Sequence, residues 1–459
     1  MASDQESPAA KKLIEWTQKF RKEKNHLFYT PLSFQQAVTT ADRPAKGSVW
    51  ASRTVLPAPE DDSTVTAITD AIYDLDNTGS REYFETTLAD VKVQWSGFRS
   101  GVGEKEDEPD ISEEDKYKGL MKDTKSRITI LYAHGGMNYF GGAASTRQVT
   151  STLARLTKGR CLVIEQRLAP QHPFPAPLID LLVSYLSLLY PPKDAFHEAV
   201  PSEDIVVAGE STGGNLAIAF LLLLQNFRDK KTRINFHGKS VAVPFPAGFA
   251  TYAPQGEITE SFPAHQGNQK YDILNEIHTT LSDDLKPDDI WPSKPPRANI
   301  YAPTTNMIIH PLISPVSARN WPSINPPPLF LAYGQEKMLE EGQFMAKQAF
   351  RAGATVHLHQ YNALPHIFAS FAKIPQTDHL FAQWAKFIRA CVEDRQTISK
   401  SQYIIYEPID EAPGFKPIPR EIGDGSGLSK FEYNEVVKRM EAKKNKMKPW
   451  TGPNAKPSL

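Results

Sequence analysis

Ile205-Val206-Val207-Ala208, then Gly209-Glu210-Ser211-Thr212-Gly213, then Gly214-Asn215-Leu216-Ala217-Ile218-Ala219-Phe220 form an apolar run, a G-x-S-x-G pentapeptide and a second apolar run. The order reads as strand, sharp turn and helix, with a serine at the apex. A serine at such a tip takes a strained backbone conformation, and small neighbours let strand and helix approach. Its hydroxyl is then held outward over a helix start. The pentapeptide alone is weak evidence. The strand before it and the helix after it make Ser211 a candidate nucleophile and not a simple turn serine.

Working outward, strands are expected at 128–132, 161–165, 205–208, 247–252, 329–333 and 356–361, and helices at 146–156, 177–190, 214–227, 338–352 and 377–393. Such alternation means βαβ units and a mostly parallel sheet flanked by helices. Residues 255–305 interrupt it and are expected to be an insertion over the functional face. Residues 1–123 lack this rhythm, apart from a short amphipathic helix at 11–21, and read as an N-terminal cap or extension. The core is assigned to 124–395 and a C-terminal extension to 396–459, with a basic helix at 428–445. The run 104–115 holds eight acidic residues and reads as a solvated surface loop. No internal repeat is present.

Bulk composition excludes several classes. The 459 residues carry a net charge of −1, so no overall field favours nucleic acid. Hydrophobic content of 40% and charged content of 23% are those of an ordinary globular chain. The two cysteines, Cys161 and Cys391, give neither a disulfide framework nor a zinc spacing. Cys161 reads as a core residue. The N-terminus has no apolar signal core, and the longest apolar runs are too short to cross a bilayer. A cytoplasmic protein without a membrane span is expected. Residues 430–448 hold seven Lys/Arg against three Glu. That segment reads first as a solvated helix and second as a membrane-surface contact.

Acyl transfer by serine needs a nucleophile, a base, an acid that orients the base, and donors for the oxyanion. The chain order Ser, Asp/Glu, His is the one this topology uses. Ser211 is the nucleophile. His366, in Leu364-Pro365-His366-Ile367-Phe368 after the strand 356–361, is the base; His357 and His359 lie on the strand itself and read as structural. Glu336 follows the strand 329–333 and is the orienting acid. Its rivals Glu340 and Glu341 fall in the next helix and read as solvated. His134-Gly135-Gly136 follows the strand 128–132, and the amides of Gly135, Gly136 and Thr212 are the candidate oxyanion donors.

These motifs, with Arg167-Leu168-Ala169-Pro170-Gln171-His172-Pro173-Phe174-Pro175-Ala176-Pro177 between them, make the chain resemble the hormone-sensitive-lipase-like branch of the α/β-hydrolase fold. The resemblance is closest to the large filamentous-fungal type, extending over 109–114, 289–292 and 310–315. It implies a hydrolase core with a cap from the N-terminal region and the insertion. It further implies hydrolysis of carboxylic esters of short to medium acyl chains, or of lipid or secondary-metabolite esters. A Ser-His-Glu triad and an acyl-enzyme would carry the reaction, with no cofactor and no metal. The chain departs from the pattern at Met137 (often a third glycine), Thr212 (usually alanine), Gln166 (usually tyrosine) and Pro254-Gln255-Gly256-Glu257. Two other readings stay open: acyl transfer to an alcohol on the same triad, and a non-catalytic ligand receptor on this fold.

Overall fold

A computed structural model of the chain describes residues 6–77, 79, 86–274, 286–411 and 414–452. Its centre is a ten-stranded sheet in the spatial order β1 (Val49–Leu56), β2 (Val91–Phe98), β4 (Arg160–Ile164), β3 (Thr129–Ala133), β5 (Ile205–Glu210), β8 (Gly248–Tyr252), β9 (Leu329–Gly334), β10 (Val356–Tyr361), β11 (Gln402–Pro408) and β12 (Phe415–Arg420). The core strands are β3, β4, β5, β8, β9 and β10. All are parallel to their neighbours within this group. Every residue of β3, β5, β8, β9 and β10 is buried, because helices cover both faces. A parallel strand of that kind is a continuous apolar run, and this is what the sequence displays.

The sheet reaches further than residues 124–395. Strands β1 and β2 pair antiparallel, and β2 pairs antiparallel with β4. At the other edge β11 runs parallel to β10, and β12 closes antiparallel on β11. Segments read from sequence as extensions therefore contribute four strands to the same sheet. A small hairpin, β6 (Arg233–Phe236) with β7 (Lys239–Ala242), stands apart.

The helices sort into two packed groups. In the first, α3 (Ser63–Leu75), α6 (Ala176–Leu189) and α7 (Ser211–Lys230) touch one another. In the second, α5 (Ala143–Thr157) packs on α10 (Pro375–Glu393), while α9 (Leu339–Arg351) lies against β9 and β10. All of α6 is buried, not one face alone, because α3 arrives from the N-terminal region to cover its outer side.

The acidic run is only partly a solvated loop. Ser112 caps α4 (Glu113–Asp123), accepting from the amide of Asp115 at 3.1 Å. Glu108 and Glu113 flank Arg53 and the buried Lys116, with Lys116 Nζ 3.1 and 2.9 Å from the two carboxylates. Two cations and two carboxylates share a half-buried site, which explains the density of acids there.

Over the functional end of the sheet lie α1 (Pro8–Lys24), α2 (Leu32–Thr39) and the segment after β8, whose described residues include the short α8 (Ala264–Gly267). Gln36 donates to the carbonyl of Ala169 at 2.8 Å, and Phe20 stacks on Phe371 at 4.5 Å. The last helix, α11 (Tyr433–Lys444), buries Val436 and Met440 and leaves its basic side exposed. Residues 275–285 of the insertion and 453–459 of the tail lie outside the described residues. No helix among the described residues is long and apolar enough to cross a membrane.

Candidate active site

Ser211 is the first residue of α7, directly after β5, and its backbone is left-handed at φ 54°. A non-glycine residue in that region is strained and has to be held by its surroundings. The glycines on either side do the holding. A side chain on Gly213 would lie 2.1 Å from the Ala133 carbonyl oxygen, and one on Gly209 would lie 2.7 Å from it. Only glycine lets β5, α7 and the end of β3 meet so closely, and that contact fixes the turn.

The structure brings the three expected side chains together. Ser211 Oγ donates to His366 Nε2 at 2.8 Å, and His366 Nδ1 donates to Glu336 Oε2 in a short hydrogen bond. Glu336 is fully buried and His366 is 2% exposed, so the pair is shielded from water. Burial pulls His366 down, but the charge of Glu336 and its hydrogen bond hold the imidazole above its ordinary value. Burial raises Glu336, against the pull of His366. The two loops are tied to each other: Gln335 Oε1 accepts the amide of Ala363 at 3.0 Å. Asn268, from the insertion, donates to the carbonyl of Glu336 at 2.8 Å. His357 and His359 are structural, bonded to the Lys400 carbonyl and to Tyr406 at 3.1 Å each.

The oxyanion assignment needs one correction. The amide of Gly135 is not available, because it donates to Glu210 Oε1 at 2.9 Å. The amides of Gly136, Met137 and Thr212 have no acceptor among the described residues. Met137, in the place of a third glycine, has φ 53° and lines the cavity in front of Ser211. Gly136 has φ 123°, and a side chain there would run into the Phe140 carbonyl at 1.9 Å.

Residues 130–370 match the family described as alpha/beta hydrolase fold, which is more than half of the chain. The chain belongs to that family. It is similar to an esterase of Acinetobacter venetianus, at 25% identity over 266 residues covering 56% of this chain and 73% of that protein. It is also similar to an acetyl-hydrolase of Streptomyces hygroscopicus, at 26% identity over 241 residues covering 52% and 68%. Among solved structures it resembles a mutant of the esterase E40, with TM-score 0.54, 19% identity and coverage of 84% and 100%. A hormone-sensitive lipase from a metagenome library gives TM-score 0.54, 20% identity and coverage of 83% and 98%. These structural likenesses show the fold. With the family match they bear out the resemblance to hormone-sensitive-lipase-like proteins read from the motifs.

Glu210, Arg167 and Asn215, given no role in the motif reading, hold this hydrolase site in shape together with Gln166 and Thr212, which stood out as departures from the pattern. Glu210 is buried and also accepts a short hydrogen bond from the Tyr132 hydroxyl. Burial pushes its carboxyl up to about 7, against these donors. Its position beside Ser211 was the available signal, since that residue faces the strand carrying His134-Gly135. Gln166 Nε2 donates to the His134 carbonyl at 2.7 Å, and the Asn138 carbonyl accepts the amide of Ala169 at 2.9 Å. The 167–177 stretch thus buttresses the loop of Gly136. Arg167 in turn lies 2.8 Å from the buried Asp180 of α6. Thr212 accepts the Asn138 amide at 3.3 Å, so its hydroxyl pins the same loop. Asn215 Nδ2 bonds the carbonyls of Gln255 (2.8 Å) and Ile313 (3.0 Å).

Glu341 is not solvated, as its helical position suggested, but fully buried. The insertion folds back across it: Glu341 accepts the amides of Gly256 (2.6 Å) and Glu257 (3.1 Å) and pairs with His265 at 2.5 Å. Burial pushes its carboxyl up to about 8, against the two amides. Glu257, His265 and Glu341 bring their ligand-type atoms within 4.8 Å of one another. Yet Glu257 already accepts from Thr259 and Ser261, so its oxygens are occupied by protein donors. The cluster is a hydrogen-bonded strut under the insertion, beside the acid loop.

The cavity in front of Ser211 has a volume of about 430 Å³. Its walls come from α2 (Leu32, Thr39), the 135–141 loop, the insertion (Ile258, Glu260, Ile300) and the C-terminal segment (Met447, Trp450).

Proposed function

We propose that this chain hydrolyses carboxylic esters of small, mainly apolar molecules through Ser211, His366 and Glu336. The observation that carries the reading is the unbroken hydrogen-bond chain from Ser211 Oγ through His366 to Glu336, at the floor of a cavity. The named relatives, an esterase and an acetyl-hydrolase, support the reaction class.

In this mechanism His366 Nε2 takes the Ser211 proton as Oγ attacks the ester carbon. The carbonyl oxygen becomes an anion facing the free amides of Gly136, Met137 and Thr212, at the start of α7, whose dipole favours negative charge. His366 returns the proton to the alkoxide, the carbon–oxygen bond breaks, and an acyl-enzyme and an alcohol result. A water activated by His366 then attacks the acyl carbon, and the acid leaves with Ser211 restored. Glu336 keeps the tautomer of His366 and stabilises its cation throughout.

The test is turnover of p-nitrophenyl acetate, butyrate and octanoate by the purified chain, with Ser211→Ala alongside. Loss of about 10,000-fold or more in kcat in the variant is expected, together with fluorophosphonate labelling of the wild type alone. Ester turnover undiminished in Ser211→Ala would sink the assignment. The chain-length profile bounds the acyl pocket.

A further inference from the structure

The cavity that holds Ser211 is lined by two carboxylates besides the triad, and they are in opposite situations. Glu210 is fully engaged, by the Tyr132 hydroxyl and the Gly135 amide. Glu260 is not. Neither oxygen accepts a hydrogen bond among the described residues; Oε1 is closed off from solvent, and the rest of the partly buried side chain meets the cavity. It stands in the insertion with a left-handed backbone at φ 53°, a conformation that costs a glutamate free energy. Its neighbours in the insertion, Ile258 and Ile273, present apolar walls. The titratable groups that face it are His265, Lys337 and Lys443 on the attractive side and Glu257 and Glu341 on the repulsive side. None of His265, Lys337 and Lys443 forms an ion pair with Glu260 among the described residues; His265 pairs with Glu341 instead. A strained, half-buried carboxylate without a partner destabilises a fold, and such groups gather where a ligand supplies the missing partner.

We infer that Glu260 selects the substrate of this cavity by accepting a hydrogen bond from a hydroxyl or ammonium group carried by an otherwise apolar ester. The inference rests on the ester-hydrolase reading above. The donor lies away from the reacting carbon, because Ser211, His366 and the free amides already account for the groups around it. Glu260 touches substrate without taking part in bond making. Its effect therefore belongs in the ratio of kcat/KM between esters with and without the donor. A mainly apolar cavity of about 430 Å³ suits a small molecule with few polar groups.

Two matched series sample both sides of the ester: methyl hexanoate, methyl 6-hydroxyhexanoate and methyl 6-aminohexanoate; and hexyl acetate, 6-hydroxyhexyl acetate and 6-aminohexyl acetate. Rates are followed by pH-stat for the wild type, Glu260→Gln, Glu260→Leu and Ser211→Ala. In one series the wild type is expected to prefer a donor-bearing ester by about tenfold or more. Glu260→Leu abolishes that preference, read as the ratio of kcat/KM between donor-bearing and plain esters within the variant. Glu260→Gln keeps a preference for the hydroxyl, whose acceptor remains, and loses one for the ammonium, whose counter-charge is gone. The melting temperature of Glu260→Leu equals or exceeds that of the wild type. Wild-type ratios retained by both variants in both series overturn the inference, as does a fall in melting temperature in both with unchanged ratios. Turnover of methyl hexanoate by the wild type and not by Ser211→Ala keeps the ester-hydrolase reading intact in either case.

Discussion

In the proposed mechanism His366 has to be neutral to take the proton of Ser211, so its ionisation would set the acid limb of the reaction. Burial favours the neutral ring, but Glu336 wins and holds the imidazole above its usual value of 6.5. A group held above its ordinary value stays protonated to higher pH. The kcat/KM of ester hydrolysis should therefore fall as pH drops through a midpoint above 6.5, measured on p-nitrophenyl butyrate across pH 5 to 9. In Glu336→Gln the charge that raises the ring is lost. The acid limb moves to lower pH and kcat falls by about 10,000-fold, because the tautomer of His366 is no longer fixed. A limb unmoved by that change would remove Glu336 from its orienting role. Glu210 acts one step further back. Glu210→Leu leaves the Gly135 amide and the Tyr132 hydroxyl buried and unpaired, at a cost of roughly 1–3 kcal/mol for each lost partner. It should lower the melting temperature and reduce kcat more than it raises KM, because the loop of Gly136 loses its anchor. Ser211, His366 and Glu336 were legible in the sequence because each follows a strand end in a fixed order. The Gly135 error has a simple origin. Which amide of a Gly-Gly turn faces the substrate depends on where a neighbouring carboxylate sits, and the spacing sets Glu210 beside Ser211 without saying that its carboxylate takes the Gly135 amide just beyond β3.

Among the elements, the buried parallel strands were readable because both faces are covered and the run is apolar throughout. Strands β1, β2, β11 and β12 escaped notice because they lie toward the two ends of the sheet. β12 carries Pro417 and Pro419, opposite Tyr406 and Ile404, a composition tolerated only at a sheet edge. Glu341 misled for a related reason. Its α9 position looks outward until the insertion, far away in sequence, folds over it. The same non-local assembly brings the C-terminal segment to the cavity. Trp450 stacks on Trp291 with centroids 6.0 Å apart and planes 6° from parallel, its amide donates to the Arg297 carbonyl at 2.9 Å, and it forms part of the cavity wall. Trp450→Ala removes that wall. The ratio of kcat/KM for p-nitrophenyl octanoate over acetate should rise, because the pocket lengthens. Stability should fall by on the order of 3 kcal/mol, the usual cost of truncating a buried tryptophan. A profile unchanged from the wild type would mean that the bound acyl chain runs elsewhere.

At the scale of the whole molecule, the sheet itself decides how the chain can be divided. A boundary at residue 124 leaves out β1 and β2, and one at 395 leaves out β11 and β12. The cut would strip β4 of the partner that pairs Val93 with Ile164, and β10 of the partner that pairs Leu358 with Tyr403. Both strands would then present unpaired backbone at an edge, that of β4 largely apolar, and such edges template aggregation. Trp95, fully buried on β2, would leave a hole beside the cation–π contact it makes with Arg160. The fragment 124–395 is therefore expected to be insoluble or to melt without cooperativity, as read by circular dichroism and differential scanning calorimetry. Removal of residues 1–44 is a different operation. It takes away α1, α2 and the turn Asn25–Tyr29 between them, which supply Phe28, Leu32 and Thr39 to the cavity wall but no strand to the sheet. That fragment should keep cooperative melting while its KM for small esters rises, because one wall of the cavity is gone. The opposite pattern, a soluble 124–395 with ester turnover and an insoluble 45–459, would mean that the outer strands are dispensable and the N-terminal helices are not.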